Sequence, residues 1–246
     1  MKIIDLRGDS RIMAPQGGLS LRPVSGVVDL ARHHTAGNPN STIFDVQTWW
    51  RNGLGWRTGG YHEFILRNGD VQLVYHDNVI TNGVLNHNRT TYHIALAGNS
   101  DFTPEQERSF DERAMAFMER RNRPVSSVRG HNEFTGHRSN TCPGNNIDMN
   151  LVRRRIAQLL EGLEAHDMAI MTEIRKIQGL ENTTEAQVAE ALAEVLRHPM
   201  PTGEALNEFN QAIEAGISSG VNPSRAIPRW QSIVLAFRAF QRRNDG

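Results

Sequence analysis

Apolar positions along this chain fall first into short alternating runs and later into helical stripes. Residues 27–32 read as a strand that ends in His33-His34-Thr35-Ala36-Gly37. Residues 37–40 make a loop, and Thr42 caps a short helix with Ile43, Val46 and Trp50 on one face. Residues 61–66 and 71–75 are strands around Asn68-Gly69, a strong hairpin signal, and a further strand covers 93–98. Thr103-Pro104-Glu105-Gln106 opens a helix with a capping box, Phe110, Ala114 and Phe117 forming its apolar face, and the helix stops before Pro124. A long loop rich in Gly and Asn follows, then a helix capped by Asp148 with Val152, Ile156 and Leu159 inward. Residues 1–26, rich in Gly, Pro and Arg, read as an irregular approach segment.

Strands and helices mix here without strict alternation. The expected fold class is therefore α/β: one central, mixed, partly antiparallel sheet with helices packed on it. After residue 160 the strand signals cease. Residues 161–202 read as a helical linker, with a second capping box at Thr184–Gln187, and 203–246 as a small helical unit.

Composition narrows the function. Hydrophobic residues make up 38% of 246, enough for a core. Charge is balanced at 27 against 27, so no field for nucleic acid or a membrane surface is implied. No apolar run reaches the roughly 20 residues of a membrane helix. The start, MKIIDLRGDS, turns polar too soon for a secretory signal, so synthesis in a cytoplasm is expected.

The single cysteine, Cys142, has no internal disulfide partner. It lies in GHNEFTGHRSNTCPG, residues 130–144, close to His131 and His137, with His33-His34 far upstream. A catalytic zinc takes three N/S ligands and keeps one open position. His33, His131 and Cys142 would supply them, though from spacing alone His34 can replace His33 and His137 can replace His131. The glycine-rich stretch 53–60 reads as a loop whose backbone can approach a ligand, flanked by Trp49, Trp50 and Trp56 as candidate sugar-stacking groups.

His33-His34-Thr35-Ala36, Gly60-Tyr61-His62-Glu63-Phe64, HIALAGN, and Gly130-His131-Asn132-Glu133 followed by Cys142-Pro143-Gly144 stand in an order that resembles the zinc-dependent N-acetylmuramoyl-L-alanine amidases of type 2. That family includes amidase-type phage lysozymes and peptidoglycan recognition proteins, and the resemblance runs over about residues 25–160. It implies Zn2+ held by His33, His131 and Cys142, with Tyr61 aimed into the cleft. Many relatives carry Lys or Thr two residues before the Cys. This chain has Asn140, which can donate a hydrogen bond to an oxyanion but carries no charge. His62 and Glu63 read as structural, and Glu133 as a residue that orients a ligand or loop. Residues 209–238 resemble an S-layer-homology-like unit, with Pro228 where Thr is usual and Phe209, Ile213, Ile217, Trp230, Val234 and Phe237 as its small core.

The implied domains are a zinc amidase domain (1–160), the linker (161–202) and a wall-binding module (203–246). The implied protein is a phage or prophage endolysin. It would cut the bond between N-acetylmuramic acid and L-alanine in bacterial peptidoglycan after release from the host cytoplasm, with secondary wall polymer as a further partner. A peptidoglycan-binding protein of the same fold that does not cut is the alternative.

Overall fold

The structure, a computed structural model, describes residues 1–175, with side chains to residue 163. The second capping box and the S-layer-homology-like unit lie outside the described residues. Six strands, β1 (Ile3–Asp5), β2 (Asp29–His34), β3 (Glu63–Ile65), β4 (Val71–Leu73), β5 (Thr91–Leu96) and β6 (Val128–Gly130), form one sheet in the order β1-β4-β3-β5-β2-β6. All neighbours are parallel except the β3–β4 hairpin, so the expected mixed sheet is present. Among the described residues the α-helices are α1 (Ile43–Gly53), α2 (Pro104–Arg121) and α3 (Met149–Arg175), and α1, α2 and the first turns of α3 pack on the sheet. No helix among the described residues is long and apolar enough to cross a membrane.

Local signals explain the helix starts. Thr103 Oγ1 accepts from the Gln106 amide while Gln106 Oε1 accepts from the Thr103 amide. Asp45 takes both the amide and the hydroxyl of Thr42. Asp148 accepts from the Asn150 amide at the start of α3. In the β3–β4 turn Gly69 adopts φ +83, a region that favours glycine.

Alternation along β2 and β5 sorts side chains between two cores. Leu30, Tyr92, Ile94 and Leu96 join Phe110, Ala114 and Phe117 of α2 and Val152 and Ile156 of α3 on one face. Ala95 and Ala97 join Ile43, Trp50, Phe64 and Tyr75 on the other. Arg32, fully buried, pairs with Glu107 and lies over the Phe110 ring.

Three expectations need correction. Residues 1–26 are not wholly irregular, because Ile3–Asp5 adds the edge strand beside β4. The segment after α2 holds a strand, Val128–Gly130, too short to show a period, paired to β2. Leu159 is 43% exposed rather than inward.

Glu63, with no exposed surface, is held by Arg113 (2.6 and 2.7 Å) and the Tyr92 hydroxyl (2.7 Å). Arg113→Met leaves that carboxylate only the Tyr92 hydroxyl and the more distant Arg120 (3.9 Å) and is expected to cost roughly 3 kcal/mol in urea unfolding. The double variant with Glu63→Gln should recover most of the loss.

Candidate metal centre

The C-terminal end of β2 delivers the first two histidines, and the pleat separates them. His33 lies on the α1 side, 1% exposed. The His34 ring turns the other way and its Nδ1–H donates to the Asn99 carbonyl at 2.7 Å. His34 still contributes: its backbone N–H donates to Cys142 Sγ at 3.4 Å.

Strand β6 brings the second group. Gly130 sits opposite Arg32 in the β2–β6 ladder, so His131, at the start of a 3-10 turn, emerges beside His33. A Cβ at Gly130 would meet Asn132 Oδ1 at 2.9 Å and Pro143 Cδ at 3.0 Å, so the close return of the loop requires glycine there. The loop closes when the Asn132 amide donates to the Cys142 carbonyl at 3.0 Å. Glu133 ties it to α3 through Arg153 (2.8 and 2.9 Å) and accepts from the Gly130 amide at 2.9 Å. Phe134, fully buried, anchors its middle.

These constraints bring His33, His131 and Cys142 together. One nitrogen or sulfur atom from each lies within 4.8 Å of the others. Cys142 Sγ is 3.5 Å from His33 Nδ1, and the two imidazole centroids are 4.9 Å apart. His34 and His137 stand behind the site. The His137 Nδ1 meets His131 Nε2 at 3.1 Å.

Electrostatics suit a soft divalent cation. Burial holds His33 well below the usual histidine range, with nearby His131 adding to the effect. Burial also takes His131 down to about 4 and pushes the Cys142 thiol up to about 12. Two neutral imidazoles and one thiol, the only proton to be displaced, form a donor set that fits zinc.

The Tyr61 ring stands 5.2 Å from that of His33 and edge-on to Trp50 at 5.0 Å. Its hydroxyl donates to the His34 carbonyl at 3.4 Å, and burial raises its pKa, so it remains a donor. Asn140 is exposed, and its Oδ1 accepts from the Cys142 amide at 2.8 Å. That oxygen shapes the turn, leaving only Nδ2 for an oxyanion. The glycine-rich loop has a packing explanation. A Cβ on Gly59 would meet Trp50 at 2.7 Å and one on Gly60 at 3.1 Å. Trp50 is buried, Trp56 stacks on it at 5.9 Å, and Trp49 is the exposed indole of the three, at 59%. His62 and Glu63 are structural. His62 Nδ1 accepts from the His93 amide, and its Nε2 lies 3.0 Å from the Val79 carbonyl.

His93 is a polar group near the centre that spacing along the chain did not single out. It sits mid-strand, and its contact with His33 crosses two strands, 3.1 Å between His93 Nδ1 and His33 Nε2.

Zinc uptake at pH 7 is expected to release about one proton, that of the thiol. Calorimetry in buffers of different ionisation enthalpy counts it. Acid should also weaken the metal-free fold. Burial depresses His62 to about 3 and His131 to about 4, while the unfolded chain binds protons from ~6.5 downward. Stability is therefore retained above ~6.5 and falls as pH drops towards 4, which urea midpoints at a series of pH values will report.

The type 2 amidase profile, described as N-acetylmuramoyl-L-alanine amidase, matches residues 22–145, a span that contains His33, Tyr61, His131, Asn140 and Cys142. No curated protein sequence matches the chain. Among solved structures, the N-acetylmuramoyl-L-alanine amidase LysC from Clostridium intestinale URNW is similar at 21% identity, with 64% of this chain and 98% of that one covered and a TM-score of 0.50. The Ph2119 endolysin from the Thermus scotoductus MAT2119 bacteriophage is similar at 23% identity, over 62% and 97%, with a TM-score of 0.53. The ectodomain complex of peptidoglycan recognition proteins LCa and LCx, bound to tracheal cytotoxin, is similar at 15% identity, over 60% and 92%, with a TM-score of 0.51. These likenesses are of fold. The profile match, over half of the sequence, carries the further conclusion that the chain belongs to the N-acetylmuramoyl-L-alanine amidase family.

Proposed function

We propose that this protein is a zinc-dependent peptidoglycan hydrolase that cuts the amide bond between N-acetylmuramic acid and L-alanine. The convergence of His33, His131 and Cys142 on one point carries the reading. Family membership and the fold shared with an N-acetylmuramoyl-L-alanine amidase and with a phage endolysin support it. When bound, zinc supplies Lewis acidity that polarises an amide carbonyl and brings the pKa of water down towards ~7.

The protein's own side chains do the rest. His33 and His131 present neutral nitrogen and Cys142 presents sulfur, all held on strand ends and a cross-braced loop. Tyr61, kept protonated, donates to the oxygen on which negative charge develops as water adds to the carbonyl carbon. Asn140 offers Nδ2 to the same oxygen from the loop that carries Cys142. Hydrolysis then breaks the C–N bond, and the amine of L-alanine leaves with a proton.

The same proposal extends to the whole chain. Residues 1–160 are the catalytic domain, 161–202 a helical linker, and 203–246 a module that holds the enzyme on a secondary wall polymer and raises its effective concentration there. Such an enzyme acts as an endolysin on the cell wall after release from the host cytoplasm. A non-cutting peptidoglycan binder has the same fold in its favour. It would not require a zinc-type thiol beside two neutral imidazoles.

Mass spectrometry of digested peptidoglycan separates the two readings. Free muramic lactyl groups and peptides beginning with L-alanine are expected, whereas intact walls at saturating protein would leave only the binder. Cys142→Ser should lose both zinc and lytic activity. Tyr61→Phe should keep its zinc and lose about 10²–10³ in turnover.

A further inference from the structure

We propose that His93 and His137 are positioning residues. Each accepts a hydrogen bond from the outer nitrogen of one ligand histidine and so holds that ligand's Nδ1 lone pair towards the metal. The inference rests on the zinc reading above and deepens it.

The His131 arm follows from proton bookkeeping. A backbone carbonyl can only accept, and His137 Nε2 lies 3.0 Å from the Leu85 carbonyl, so Nε2 carries the His137 proton. The Nδ1 of a neutral His137 is then a lone pair, 3.1 Å from His131 Nε2. It accepts from Nε2–H, which leaves the His131 lone pair on Nδ1. Chain direction is set from Leu85 inward.

The His33 arm has the same logic on the other side. His33 Nδ1 faces Cys142 Sγ at 3.5 Å, so a metal shared with the sulfur meets Nδ1. The proton then sits on Nε2 and is aimed at His93 Nδ1, 3.1 Å away. His93 pairs with Ala31 in the β2–β5 ladder, two residues before His33, so the rings are diagonal neighbours on one face of the sheet. The backbone N–H of His93 donates to His62 Nδ1, which steadies the strand beneath the ring.

Two features show that the interior is built around the His93 ring. A Cβ on Gly83 would fall 2.4 Å from His93 Nδ1, so a side chain is missing where the imidazole needs room. The other nitrogen, Nε2, is buried with no hydrogen-bond partner among the described residues. A fold tolerates such an unpaired group where the ring does something that an apolar side chain cannot. Outer partners of metal-bound histidines commonly fix tautomer and ring orientation in this way. Here both outer partners are themselves imidazoles.

The test uses the full chain loaded with Zn2+. Long-range 15N–1H spectra of the histidine rings should show His33 and His131 both bound through Nδ1 with the proton on Nε2. Chelator competition should show zinc binding about 10–100-fold weaker in His137→Phe and His93→Leu. His137→Asn, which keeps an accepting oxygen, should recover most of the affinity. His137 is half-buried at a loop, so the metal-free melting temperature of its variants should match the wild type, which separates lost positioning from lost fold if His93→Leu does not fold. A wild type that takes up no zinc overturns the metal reading together with this one. A wild type that binds zinc, with variants binding as tightly or with ligation through Nε2 or through His137, overturns the positioning role alone.

Discussion

The pairing of β2 with parallel neighbours on both sides is the constraint from which the site follows. In a parallel ladder the C-terminal ends of the strands come out on one edge. His33 and His34 leave β2 there, and Gly130 of β6 leaves beside them. His131 therefore needs no long reach, and the loop to Cys142 only has to fold back. Three tethers make that return definite: the Asn132–Cys142 backbone bond, Asn140 under the Cys142 amide, and the Glu133–Arg153 pair to α3.

Packing around this edge sets its chemistry. A cluster of imidazoles would normally bind protons in mild acid. Burial among apolar strands and mutual repulsion keep His33, His93 and His131 neutral. The same burial makes a bare thiolate unfavourable at Cys142. The imidazoles have little affinity for protons and the thiol gives its proton up reluctantly, a donor set that fits a divalent ion, which would supply the charge that makes the thiolate favourable. The remote ion pairs serve the platform instead. Arg32 with Glu107 and Arg113 with Glu63 lock α2 onto the opposite face of the sheet, so that β2 and β5 present a stiff surface to the site.

Much of this was legible in the chain, for physical reasons that differ from residue to residue. The Thr42 cap, the Thr103 capping box and the Asn68-Gly69 turn act locally, so the sequence carries them in full. The Phe110, Ala114 and Phe117 stripe shows because a helix repeats its contact face. The choice of His33 over His34 depends on the pleat phase, which the resemblance to the amidase family supplied and the β2 alternation explains. What escaped is non-local or very short. The strands at Ile3–Asp5 and Val128–Gly130 are defined by partners, not by periodicity. The glycines at 59 and 60 look like a ligand-hugging loop, and their neighbour is an indole. His93 looks like any polar residue in a strand until its diagonal neighbour is known.

The Gly83–His93 contact also bears on how the sequence can drift. Any side chain at position 83 would collide with the ring at position 93, so the first cannot grow unless the second shrinks. The constraint runs one way across ten positions: residue 93 can shrink beside the glycine, but residue 83 cannot gain a side chain beside the imidazole. A lineage that enlarges residue 83 must first give up the imidazole, and with it, on the zinc reading proposed above, one of the two supports under the ligand rings. Conservation at an unremarkable loop glycine would then be a record of metal chemistry one layer below it.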